Sequence, residues 1–193
     1  WTDSTGDTRF QTPDANDPHN WRGKLSTALL LMQCFTAERM NDIGLGRRTF
    51  NLELDESGRV KVHLLRGARS AAEYRQMSGG ALYSSAWAEL GRAGLTGPAC
   101  KCLVVPAFTF FDANTRIPLA HTALGGGGLA LFGGGDLFTW PDSLKAAQPA
   151  FMDARRIDPE KYFSDSVGRH TRWACATTTI GAALHELGHC FGL

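Results

Sequence analysis

The sequence predicts a single α/β domain. Three features carry that expectation: a helical repeat over Trp21–Met40, extended apolar segments at Cys100–Phe111 and Leu129–Phe132, and a second amphipathic pattern at Thr177–Leu193. The 193 residues, 43% hydrophobic and 20% charged, suffice for one sizeable core and exclude disorder and collagen-like architecture. No internal repeat or low-complexity linker divides them.

Residues 1–20 carry Asp, Thr, Pro and Asn without apolar periodicity and read as an irregular lead-in, so that 21–193 form the domain proper. Leu25, Ala28, Leu29, Met32 and Phe35 share one face of a helix over Trp21–Met40. Leu30 and Leu31 widen that face enough for packing against a sheet, and Gly44 and Gly46 supply the stop. Thr49–Leu54 and Val60–Leu65 both alternate and are expected as strands, with Asp55-Glu56-Ser57-Gly58 able to close a hairpin or connect separate strands. Ala68–Met77 and Ala81–Leu90 have helical composition, separated by Ser78-Gly79-Gly80 and closed by Gly91 and Gly94. Cys100–Phe111 reads as a buried strand in which Pro106 marks an edge or a bend. Leu129–Phe132 and Leu137–Trp140 are expected to be extended, and Pro141–Arg172 to loop over the surface with one short helix.

Lys and Arg total 20 against 19 for Asp and Glu, a formal charge of +1. No basic block is present to hold a phosphate backbone, so no nucleic-acid partner is expected. The longest apolar stretch, Leu119–Phe132, is broken by His121, Thr122 and the Gly125–Gly128 run. It falls short of the ~18 unbroken apolar residues of a membrane span, and a soluble chain is expected. Five cysteines are odd in number and too few for a disulfide scaffold, and no Asn-x-Ser/Thr acceptor occurs. Both favour a reducing compartment, with the cytoplasm as the expected location. The chain opens on Trp1 and shows no basic-then-apolar leader, so its natural N-terminus and any targeting segment are expected to lie outside it.

Chemistry concentrates in Leu184-His185-Glu186-Leu187-Gly188-His189, a His-Glu-x-x-His pattern. Four residues advance a helix by about one turn, so His185 and His189 project from one face and can reach a single ion. The complementary stripe Ile180, Leu184, Leu187 and Phe191 would bury the other side, and Thr177, Thr178 and Thr179 offer N-cap hydroxyls. Two neutral imidazoles and a third protein ligand suit Zn2+ and leave one position for water, whose pKa the ion lowers to about 7. Glu186, beside the metal face, is the candidate general base, and peptide-bond hydrolysis is the reaction class that follows. Two histidines and a glutamate hydrogen-bonded on an ordinary helix surface are the bland alternative.

Gly192 lies three residues after His189, as in His-Glu-x-x-His-x-x-Gly-x-x-His, where the glycine turns the chain so that a last ligand returns to the metal. That ligand would follow Leu193. Otherwise it would come from elsewhere in the chain, with His121 and His170 as candidates. The domain is therefore expected to be cut before its third zinc ligand.

On His185, Glu186, His189 and Gly192 at this spacing, the chain resembles the metzincin clan of zinc peptidases. More narrowly, through Trp21–Met40, Gly46-Arg47-Arg48-Thr49-Phe50, His121–Pro141 and Thr177–Leu193, it is similar to a fungal and animal group of zinc metallopeptidases. Some members of that group carry a jacalin-like lectin domain elsewhere in the protein. The resemblance implies a zincin, metzincin-like N-terminal subdomain: a twisted mixed sheet, a backing helix at Trp21–Met40, and a C-terminal active-site helix. It also implies a peptide or protein substrate bound as an added strand on an exposed sheet edge, here Gly125–Phe132 with Gly126, Gly127, Gly128, Leu129 and Ala130 as the contact residues. The same glycines would equally suit a flexible loop or a β-bulge. The rival to a metalloendopeptidase is a catalytically silent zincin-fold binding module within a larger protein.

Other residues favour bland roles. Cys100 and Cys102 read as small apolar residues rather than a metal or redox pair, and Cys190 as a packed thiol outside the metal site. Arg47-Arg48 and Arg155-Arg156 read as solvated pairs.

Overall fold

Leu129–Phe132 forms β5, a strand with all four residues buried. It is the middle of a three-stranded mixed sheet in the computed structural model, which describes residues 1–193. Cys102–Val104 (β1) pairs with it in parallel, and Ala123–Gly126 (β4) pairs antiparallel on the other side. Strand alternation then sorts the core into two layers. Leu129 and Leu131 point to one face, where they meet Leu82, Ala86 and Leu90 of α3 (Gly79–Arg92) and Tyr74 of α2 (Ala71–Arg75). Phe132 points to the other, among Ile180 and Ala183 of α5 (Arg172–Cys190) and Ala28 and Met32 of α1 (Trp21–Asp42). This is the predicted α/β class, with helices on both faces of the sheet.

Helix α1 begins where Asn20 accepts a hydrogen bond from the Gly23 amide (3.1 Å). It stops ahead of Gly44 and Gly46, both at positive φ, as their positions predict. Ala28 and Met32 are buried, but Phe35 is 57% exposed, so the apolar face is shorter than the sequence implies. The helix packs on α5 and reaches the sheet through Phe132, instead of lying directly on the strands.

Cys100–Phe111 does break at Pro106, and its halves serve two sheets. β1 enters the mixed sheet, while Phe110–Asp112 (β2) pairs antiparallel with Ile117–Leu119 (β3) in a separate ribbon. The short helix expected after Pro141 is α4, Leu144–Phe151.

Three expectations are corrected. Thr49–Leu54 and Val60–Leu65 do not form strands. Only Leu54 and Val60 bridge across the Asp55–Gly58 turn, because neither flank buries an alternating face: Leu65 is the one buried residue and Leu54 is 54% exposed. Leu137–Thr139 is a 3-10 turn, closed by Thr139, whose amide and hydroxyl both donate to the Asp136 carbonyl. The last helix starts at Arg172, so Thr177–Thr179 lie inside it and cap nothing. Thr179 is instead fully buried: it accepts the Trp140 indole N–H at 2.7 Å and donates to the Cys175 carbonyl, fastening α5 to the segment after β5.

Asp136 sits 1% exposed on this same segment, with one carboxylate oxygen accepting the Asp165 amide (3.1 Å) and the other unpartnered. Burial is the main cause that pushes its pKa up to about 7. The folded state then binds a proton more tightly than the unfolded one. The stability Asp136 contributes is full below the unfolded carboxylate range and is lost as pH rises through about 7, a span on the order of 4 kcal/mol. Asp136→Asn is expected to remove that slope and to raise the thermal midpoint above wild type at pH 8 but not at pH 4. Parallel melts of the two proteins across that range check it.

Candidate functional site

The exposed face at the C-terminal end of α5 carries His185 and His189 one turn apart. Their ring centroids are 4.5 Å apart, the planes stand at 80°, and the two Nε2 atoms converge to 3.0 Å. Two nitrogens bound to one tetrahedral zinc lie roughly 3.3 Å apart, so the pair needs only a few tenths of an ångström to grip such an ion. His189 Nδ1 faces the Leu193 carbonyl oxygen at 2.9 Å. A carbonyl only accepts, so Nδ1 carries the proton and Nε2 of the neutral ring keeps its lone pair for the shared point. Without a cation one proton must lie between the two Nε2 atoms. With one, both lone pairs are satisfied. The donor set therefore fits a zinc ion, and its orienting contact is already made.

Gly192 at φ +83° turns the chain after α5 and so returns the Leu193 carbonyl to His189. Glu186 lies between the exposed His185 and the buried Leu187, half-buried, and none of the chain's ion pairs uses it. The buried side of α5 runs through Ala176, Thr179, Ile180, Ala183, Leu187 and Cys190. That stripe is rotated from the expected one: Ile180 and Leu187 belong to it, Leu184 is at its margin, and Phe191 is 45% exposed, stacked on Phe50. Cys190 packs with Ala130 and Leu187, a core thiol as its position implies.

No third His, Cys, Asp or Glu joins the two imidazoles. His121 is half-buried against Phe163 with its Nδ1 atom buried and unpartnered, and His170 Nδ1 hydrogen-bonds to the Ser164 hydroxyl at 3.0 Å. Cys100 is exposed while Cys102 is half-buried, its thiol donating to the Leu95 carbonyl. A cleft of about 850 Å³ lies at the other end of α5, where Arg172 pairs with Asp14, and holds none of the motif residues.

The strand edge beside the motif is not the one the glycine run implied. Leu129 and Ala130 belong to the middle strand, 0% exposed, with both edges hydrogen-bonded to neighbours, so neither can pair with an added strand. Gly127 and Gly128 form the β4–β5 turn, where the Gly127 carbonyl accepts from Lys101. Only Gly126 of the five lies on the edge strand, as its last residue, and its carbonyl accepts the Tyr83 hydroxyl. The outer edge is β4, Ala123–Gly126, which packs directly against α5. A signal for this existed: Leu129-Ala130-Leu131-Phe132 is apolar at every position, the pattern of a strand buried on both faces.

The "Putative peptidase family" model matches residues 3–193. A "Putative zinc metalloproteinase" of Schizosaccharomyces pombe is 34% identical over 207 residues, covering 96% of this chain and 33% of the relative. A second protein of that name, from Saccharomyces cerevisiae, is 29% identical over 196 residues, covering 88% and 28%. The chain thus spans about a third of the length of these curated relatives. Among solved structures, wild-type OgpA from Akkermansia muciniphila has a TM-score of 0.57 at 20% identity, over 95% of this chain and 45% of that one. Catalytically inactive OgpA in complex with an O-glycopeptide substrate scores 0.58, also at 20% identity, over 100% and 46%. These structures share the fold. With its whole length from residue 3 matched and a relative at 34% identity, the chain belongs to the "Putative peptidase family".

Proposed function

We propose that this chain is part of the catalytic domain of a zinc-dependent metalloendopeptidase with metzincin-like architecture, in which His185 and His189 hold the ion and Glu186 is the general base. The observation that carries the reading is the convergence of two Nε2 atoms at 3.0 Å, one ring already oriented through Nδ1, on a helix packed under a free strand edge. Zinc at that point supplies Lewis-acid polarisation of a carbonyl and lowers the pKa of water to about 7. Glu186, adjacent to His185 and free of ion pairs, takes the proton of the attacking water and passes it to the departing amine. The Leu193 carbonyl keeps His189 in the tautomer that presents Nε2. A third ligand is proposed two positions beyond Leu193, at the spacing of His-Glu-x-x-His-x-x-Gly-x-x-His.

The substrate is a peptide or protein segment, laid as a strand along Ala123–Gly126 and held by main-chain hydrogen bonds. The zinc in the relatives' names and the O-glycopeptide bound by OgpA support the metal and the peptide class, respectively. In the full-length protein, peptide hydrolysis is expected to disappear on chelation with phenanthroline and to return on adding zinc. Hydrolysis that persists in protein shown to be metal-free would end this reading.

A further inference from the structure

Three strands present one row of side chains to α5. Gly125 of β4 is level with Ala130 of β5, and Ala130 is level with Leu103 of β1. The row therefore grows from hydrogen to methyl to isobutyl going away from the free edge. Leu187 and Cys190 rest on Ala130 and Leu103. At the edge there is no side chain at all, and the helix backbone itself fills the space. A methyl group added at Gly125 would overlap the Glu186 carbonyl oxygen and stand 2.7 and 2.8 Å from the Glu186 carbonyl carbon and Cα. All three are backbone atoms of a hydrogen-bonded helix and cannot swing aside. One residue on, the Cys190 thiol points at the Gly126 carbonyl (3.8 Å) and so repeats the alignment of strand with helix.

We infer that Gly125 is a positioning residue: the Gly125–Ala130–Leu103 row tilts α5 so that its His185–Glu186 turn comes closest to the sheet at the free edge, which sets the height and register of a bound peptide over the metal ligands. This rests on the peptidase reading and adds the element that aligns its substrate. The Cα face of Gly125 that meets α5 touches neither metal nor substrate, although its main chain belongs to the proposed substrate edge. Its effect passes through the contact of β4 with the Glu186 peptide. Relieving an alanine there needs a separation of about 1 Å, and displacements of that size cost about 100-fold in turnover of a positioned substrate.

The test uses full-length protein carrying Gly125→Ala, with Gly91→Ala as control, since a methyl at Gly91 in α3 meets nothing within 4 Å. Gly125→Ala is expected to keep the wild-type zinc content, because both histidines lie on α5 itself. It should lower kcat/KM about 100-fold, with KM rising at a temperature far below its melting transition. Gly91→Ala should stay within about twofold of wild type. If Gly125→Ala does not fold, Ala130→Ser, one oxygen larger at the next position of the row, is expected to show the same rise in KM at smaller size. Wild-type kinetics in a folded Gly125→Ala or Ala130→Ser protein, or a change in melting temperature with no change in KM, would overturn the inference and leave the peptidase reading intact. A wild-type protein with neither zinc nor hydrolysis would end the peptidase reading instead.

Discussion

Glu186→Gln in the full-length protein is expected to lower kcat by a factor of about 10² to 10⁴ while zinc stays bound. Glutamine keeps the size and one hydrogen-bond acceptor of the side chain, so α5, the two imidazoles and the strand edge are undisturbed. What is lost is the ability to take a proton from the attacking water and return it to the leaving amine. KM should change little, because Glu186 is assigned no role in holding the peptide. Steady-state kinetics with metal analysis on the same sample separate the cases. A Glu186→Gln protein of wild-type rate with full zinc would remove Glu186 as the base, and one that has lost its zinc would make Glu186 a ligand.

His185→Ala and His189→Ala are each expected to weaken zinc binding by more than about 100-fold and to abolish hydrolysis. Removing only the partner that orients a ligating histidine typically costs 10- to 100-fold, and removing the ligand itself costs more. Neither residue holds the core: both rings are exposed, and the buried side of α5 runs through Ile180, Ala183 and Leu187. The apo variants should therefore keep the wild-type helical circular dichroism. Zinc titration against a competing chelator gives the affinity, and unchanged affinity in either variant would contradict the assignment.

The histidine pair was legible because helical spacing alone places residues four apart on one face, and no tertiary contact is needed to bring His185 and His189 together. Helix α1, helix α3 and the buried strand β5 were legible for the same reason: periodicity, caps and glycine stops are local. What depended on neighbours was not. Thr49–Leu54 and Val60–Leu65 have strand-like alternation, but a strand exists only against a partner, and these flanks bury no residue but Leu65. The threonines at 177–179 resemble a cap, yet Thr171 precedes the first turn and Thr179 serves the Trp140 indole in the core. The free sheet edge was expected one strand too far along because a glycine run does not say which side of a hairpin is outermost. The contact of Gly125 with the helix backbone has no sequence signature, since it is a close approach between residues 61 positions apart.

The most direct test of the central claim is X-ray absorption at the zinc edge of the full-length protein, wild type beside His185→Ala and His189→Ala. The account predicts a first shell of nitrogen and oxygen at about 2.0–2.1 Å with at least two imidazole signatures, no sulfur, and one imidazole lost in each variant under conditions that retain metal. A shell dominated by sulfur near 2.3 Å, or a spectrum that neither substitution alters, would place the ion elsewhere and contradict it.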